Sequence, residues 1–205
     1  MGLIDFVLDT IAEFNPGKSK INRDLGQIDA ELVDYKQQLV DLSDKELAEI
    51  SNYRSDSERS RRTKISKALI ATIFEEPALC YGFKDYKGKG RNGVALVYTR
   101  NREFIFRFRE KNVTVFLNRQ LVGFLNHHGQ ISKGKSNRVL AEIDTAGTMR
   151  AIHVEGREVA SFNYENAESS KVKKRVVNYI KTINPIERDM VIAFYALHII
   201  NQYEL

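Results

Sequence analysis

The stretch Met190 to Ile200 is apolar at almost every position, and no other feature of the chain constrains the fold as strongly. What precedes it reads as a helix start. Asn184 suits a cap, Pro185 suits the first helical position, where no amide hydrogen is needed, and Glu187 falls in the first turn. The helix predicted over about Asn184 to Gln202 has no solvent face, so it must be covered on several sides. At roughly 1.5 Å per residue the apolar run is too short for a bilayer, which needs about 20 residues. Its cover has to come from the same chain.

The glycines show where that cover lies. Nine of the twelve fall between Gly82 and Gly156. Helical spacing dominates before Pro77, and turn-punctuated alternation follows it. Leu3, Phe6, Val7, Ile11 and Phe14 predict an N-terminal helix with Asp5, Asp9 and Glu13 on another face; docking on the protein's own body suits it better than membrane anchoring. Ile21, Leu25, Ile28, Leu32, Tyr35 and Leu39 form a heptad seam under three heptads long. It predicts packing against neighbouring helices, with self-association into a homo-oligomer as the alternative. Ser43 and Glu46 make a capping box for a short helix containing Leu47 and Ile50. Arg59, Arg61, Arg62, Lys64 and Lys67 open a further helical run with Ile65, Leu69 and Ile73, and present either a solvated or a phosphate-contacting surface.

From Ala78 the period becomes two. Strands are predicted at 78–85, 93–99, 103–109, 113–118, 121–126, 138–144, 149–154 and 158–164. Arg100–Arg102, Glu110–Asn112, Thr145–Gly147 and Glu155-Gly156 supply the turns, so the sheet should be antiparallel and sequential. The segment Val176–Ile180 fits a strand or a short helix equally. An internal repeat supports a meander: Val115–Asn126 aligns with Ile152–Asn163, 37 residues on. Its inward positions should be Val115, Leu117, Val122 and Leu125, then Ile152, Val154, Val159 and Phe162.

Charge is unevenly spread. Residues 1–56 carry a net −6, and residues 57–205 a net +11. A basic body favours a polyanionic partner such as nucleic acid or an anionic lipid surface. The single cysteine, Cys80, excludes a disulfide framework, and no basic-then-apolar leader is visible, so a soluble, cytoplasmic protein is expected.

The hairpins Phe116–Asn126 and Ile152–Asn163, followed by Asp189–Ile200, resemble the tubby C-terminal-like superfamily, in particular its LURP-one-related and phospholipid-scramblase branches. The resemblance covers about residues 78–205. It implies a barrel closed around the hydrophobic C-terminal helix, and possible binding of phosphoinositide head groups. The family's full barrel has twelve strands against about eight visible here. The helical module before Ala78 has no counterpart, and no ligand residues carry over.

Among motifs with chemistry, Gly129-Gln130-Ile131-Ser132-Lys133-Gly134-Lys135-Ser136 matches the phosphate-loop pattern. That pattern needs a following helix, and the eight residues from Asn137 to Asp144 are too few, so a basic turn is the favoured reading. Tyr86–Arg91 is a second glycine-basic loop. If both lie at one rim, Lys87, Lys89, Arg91, Lys133 and Lys135 form an anion or lipid head-group site. His127-His128 should diverge on a strand end, which disfavours metal binding. His153, His198 and Cys80 read as structural. Glu142 and Asp144 could face a cleft together but lack an acid/base setting. Phe104, Phe106 and Phe108 share a strand face, as core aromatics or as a stacking platform for bases.

The expectation is therefore an α+β protein: an acidic helical module, 1–76, then an antiparallel barrel-like domain, 77–205, around its last helix. It is expected to be a non-enzymatic binding module without metal or cofactor.

Overall fold

The computed structural model describes residues 17–86, 91–134, 138–164, 173–179 and 182–205, so the expected N-terminal helix lies outside the described residues. Three helices come first: α1 (Lys18–Glu31), α2 (Val33–Gln38) and α3 (Asp44–Ala48). A sheet follows, of β1 (Ile50–Arg59), β2 (Ile65–Thr72), β3 (Pro77–Asp85), β4 (Asn92–Thr99), β5 (Arg102–Arg109) and β6 (Asn112–Leu117). It continues through β7 (Gln120–Leu125), β8 (Gln130–Lys133), β9 (Arg138–Ile143), β10 (Met149–Val154), β11 (Arg157–Asn163) and β12 (Val177–Tyr179). The closing helix is α4 (Pro185–Glu204). The twelve strands pair antiparallel in strict chain order. Ser51 bridges Arg175, and the Val176 amide donates to Ile50 O at 3.0 Å, which brings β1 back beside the last strand and nearly closes a barrel.

Neighbouring residues of a strand point to opposite faces, and each face has its own cover. Ala95, Val97, Phe104, Phe106 and Phe108 belong to one buried cluster with α4. Val94, Leu96 and Ile105, the alternate positions, belong to a second with α1 and α2. Thus β2–β6 are buried on both sides. Gly82 marks the closest approach of α1, since a Cβ there would sit 2.4 Å from Ile28 Cγ2.

That double burial explains the main correction. Ile65, Leu69 and Ile73, expected on a helix, fall in β2 and the turn after it. A strand covered on both faces is apolar nearly throughout, as Ile65–Thr72 is, and such a run also satisfies helical spacing. Ile50, expected on the short capped helix, starts β1 instead, while the Ser43–Glu46 capping box forms on α3 as anticipated. β1 and β2 lie in the same sheet as β3, so the 76/77 division separates neighbours hydrogen-bonded in one sheet. Gln130–Lys133, read as part of a turn, is β8, and the ambiguous segment after Lys174 contains the short strand β12.

The repeat proves structural in detail. β6–β7 and β10–β11 carry the same bulge, between Val115 and Phe116 in one hairpin and Ile152 and His153 in the other. Both turns use left-handed residues at matching places: Asn118 and Arg119 (φ 47° and 65°), then Glu155 and Gly156 (φ 49° and 81°). The extra residue lets Val122 and Leu125, three apart, face the same way. All eight inward positions expected from the repeat join the cluster shared with α4.

α4 is capped as its sequence predicts, with the Glu187 amide donating to Asn184 Oδ1 at 3.0 Å. Met190 through Leu197, Ile199 and Ile200 are buried. Polar ties reach it from widely separated strands. Arg157 of β11 holds Glu187, and Arg102 of β5 binds Asp189 at 2.9 Å. The Tyr195 hydroxyl donates to Ser51 O on β1 at 2.6 Å. The Tyr81 hydroxyl of β3 donates to Glu204 at 2.9 Å. The Arg157 guanidinium keeps the Glu187 carboxyl below the ordinary carboxylate range, whereas burial raises Asp189 despite Arg102.

His198 packs edge-on against Tyr164, 4.3 Å between ring centres, and burial followed by the Arg150 charge lowers its pKa to about 4. A histidine neutral in the fold and protonated when unfolded makes stability fall as pH drops from about 6.5 to about 4, then level off. Replacing His198 with Phe should flatten that segment of a stability-versus-pH curve measured by urea unfolding, by up to about 3 kcal/mol.

The heptad seam is used inside the molecule. Ile21, Ile28 and Leu32 are fully buried and Tyr35 and Leu39 nearly so, against β2–β6; Leu25 alone is only half-buried. The partner of the seam is the sheet, so homo-oligomers through Ile21–Leu39 would first have to strip it away. Ile28→Ala should cost about 2–5 kcal/mol, with a melting temperature independent of protein concentration. A melting temperature that rises with concentration would restore the intermolecular reading.

Candidate functional site

One end of the sheet gathers cations from three elements. The β1–β2 hairpin supplies Arg59, Arg61 and Lys64, α1 supplies Lys20, and the end of β3 supplies Lys84. With Ser60, Asp85 and Tyr86 they line a cleft of about 840 Å³. The hairpin turn is held by its own backbone. Ser60 N donates to Ile65 O and Lys64 N to Ser60 O, each at 2.9 Å, with Lys64 left-handed at φ 59°. Thr63 Oγ1 pins the turn to Glu31 of α1 at 2.6 Å. Arg59, Arg61 and Lys64 therefore project from an ordered turn.

Tyr86 forms the buried floor. Its ring carries Lys20 Nζ at 4.9 Å and the Arg107 guanidinium at 5.4 Å. Burial, then the Asp24 carboxylate, raises its phenol far above the ordinary range, so it stays protonated. Lys84 donates to Asp24 Oδ1 at 2.8 Å and to Gln27 Oε1 at 3.2 Å. Asp24 is 1% exposed, so this pair anchors α1 to β3 beneath the cleft. Among the described residues, no carboxylate lies within ion-pair distance of Lys20, Arg59, Arg61 or Lys64. The cleft thus exposes a surplus of positive charge suited to an anion.

The site expected from sequence is only partly met. Lys87, Lys89 and Lys135 lie outside the described residues. Arg91 does not project as a rim cation. It bonds Asn201 of α4, lies 4.3 Å over the Phe108 ring, and is lowered by burial to about 10. Lys133 ends β8. Gly134, next after Lys133, shares a pocket with Arg109, Glu110 and Asn112 of the β5–β6 turn, and the Glu110 amide donates to Arg91 O at 2.6 Å. The cluster starting at Arg59 was visible in the sequence, but as a helix face. Its association with Lys20 and Lys84 depends on strand pairing that no local pattern records.

Other motifs resolve as follows. Gly129–Gly134 spans a left-handed glycine, strand β8 and a second left-handed glycine, and strand β9 rather than a helix follows. His127 and His128 do not diverge; their ring centres lie 3.8 Å apart, the planes tilted by 42°, in the β7–β8 turn. Among the described residues no group of three or more His, Cys, Asp or Glu could hold a metal. Cys80 lies under α1–α2, its thiol pushed up to about 12 by burial. Glu142 accepts from Gln130, and Asp144 accepts from the Ala151 amide, so both carboxylates serve the sheet. Phe104, Phe106 and Phe108 are wholly buried in the α4 cluster and offer no platform to a base.

Fold and site together describe an α+β protein, a nearly closed antiparallel barrel with a basic cleft where α1 meets the β1–β2 hairpin and the end of β3. No family model, curated protein or solved structure matches the chain.

Lys84→Met should destabilise the protein by about 3 kcal/mol, because it leaves Asp24 buried without its counter-ion. The double variant with Asp24→Asn should cost clearly less than the sum of the two single changes in urea unfolding.

Proposed function

We propose that the chain is a non-enzymatic, cytoplasmic binding module of tubby-like architecture that engages anionic head groups at a membrane surface through its basic cleft. The observation that carries this reading is the set of four cations, Arg59, Arg61 and Lys64 on an ordered turn and Lys20 on α1, grouped without a carboxylate partner among the described residues. Each such cation near an anionic bilayer contributes about 1 kcal/mol of attraction.

The architecture supports the tubby-like reading. Twelve sequential antiparallel strands agree with the number implied by the resemblance. α4 is the barrel's central plug. A twelve-stranded barrel is wider than side chains alone fill, and α4 is buried around its circumference with ties to β1, β3, β5 and β11. Among the described residues no helix is long and apolar enough to cross a membrane, and the free, buried Cys80 suits a reducing compartment.

Sedimentation with vesicles tests the reading. The protein should bind phosphatidylcholine vesicles carrying anionic lipid and not pure phosphatidylcholine. Arg61→Ala with Lys64→Ala should weaken that binding about thirtyfold, corresponding to about 2 kcal/mol. Equal sedimentation of variant and parent would remove the cleft from the mechanism. Steep salt-dependent binding to DNA or RNA with no preference among lipids would instead favour a nucleic-acid partner.

A further inference from the structure

A second pocket, of about 470 Å³, opens between α1 and strands β4–β5 and shares no lining residue with the basic cleft. Its volume falls in the range of small-molecule sites. Leu25, Leu96 and Ile105 make its apolar wall. One end is polar and self-compensated. The Tyr98 hydroxyl lies 2.7 Å from Asp29 Oδ1 and 2.9 Å from Glu103 Oε2. Lys36 neutralises Asp29 at 2.7 Å, and Arg119 neutralises Glu103 at 3.0 Å. At the mouth, Asn22 and Arg23 have no hydrogen-bond or ion-pair partner among the described residues.

Two details of α1 suit this space to a ligand. Leu25 is the one member of the heptad seam that the sheet leaves half-buried, and it faces the pocket. Gly26 sits mid-helix, where glycine weakens the helix relative to alanine. Close packing accounts for Gly82, but a Cβ at Gly26 would meet nothing within 4 Å, and Gly26 lines the pocket.

We propose that this pocket binds a small amphipathic anion, its alkyl body on Leu25, Leu96 and Ile105 and its carboxylate on Arg23 and Asn22. The sign of the head group follows from the charges already spent. Both carboxylates at the polar end have cations, whereas Arg23 has no anionic partner among the described residues. The proposal stands apart from the membrane reading, because no residue is common to the two sites.

Isothermal titration of the full chain with sodium octanoate and sodium decanoate tests it. One equivalent should bind, about fourfold tighter for each added methylene. Gly26→Phe should weaken decanoate at least tenfold without lowering the melting temperature, since the ring enters open space. Arg23→Glu, at an exposed position, should weaken it similarly and decides the matter even if the Phe variant fails to fold. Arg61→Ala with Lys64→Ala should leave decanoate binding unchanged, which separates this site from the basic cleft. The proposal is overturned if neither acid binds, if Arg23→Glu or a folded Gly26→Phe variant binds decanoate like the parent, or if decyltrimethylammonium binds as well as decanoate.

Discussion

Apolar contact between α4 and one face of the sheet is the interaction on which the remaining structure depends. A helix without a polar face cannot be left in water, and each large aliphatic or aromatic side chain it hides contributes about 1.5–3 kcal/mol. β2–β6 and β8–β11 all send residues into the cluster around it. Its charged residues sit at its ends. Glu187 and Asp189 at the start, and Glu204 at the finish, find partners on different strands, so the helix is fixed along its axis as well as packed against the sheet. The near-return of β1 to the last strand is the geometric counterpart of that demand.

The opposite face of β2–β6 explains the rest of the arrangement. Ile21, Ile28 and Leu32 cover it, and Gly82 lets α1 come close enough to do so. Once α1 is seated, Lys20 and Lys84 are carried to the β1–β2 turn, and a positive cleft forms at the junction. The Lys84–Asp24 pair lies where helix and sheet meet, so one contact both holds the fold and borders the candidate site. Where α1 and the sheet part, around Leu25 and Gly26, they leave the second pocket.

Legibility differed by element for a physical reason. β7, β10 and β11 have one face less deeply buried, so the alternation of the two hairpins survived in the sequence, down to a shared bulge and turn. β2 is covered on both faces and its apolar run fits any period, so Ile65, Leu69 and Ile73 imitated a helix. β8 and β12 are four and three residues long, too short to show a period at all. The candidate site was half visible. The basic run after Ser57 was plain, but Lys20 and Lys84 were isolated lysines until the fold placed them beside it.

The sequence by itself determined that a capped helix, apolar at almost every position from Met190 to Ile200, comes last, and that an antiparallel meander with two related hairpins precedes it. These are local matters of capping, turn residues and side-chain alternation, readable within a dozen residues. Tertiary structure alone decided that β1 and β2 join the sheet and that the Ile21–Leu39 seam is spent on the sheet rather than on a second copy. It also decided that Arg91 turns toward α4 while Lys20, Arg59, Arg61, Lys64 and Lys84 converge. Each of those outcomes is a competition for buried surface or for a counter-ion between segments far apart in the chain, and only the folded arrangement shows which segment won.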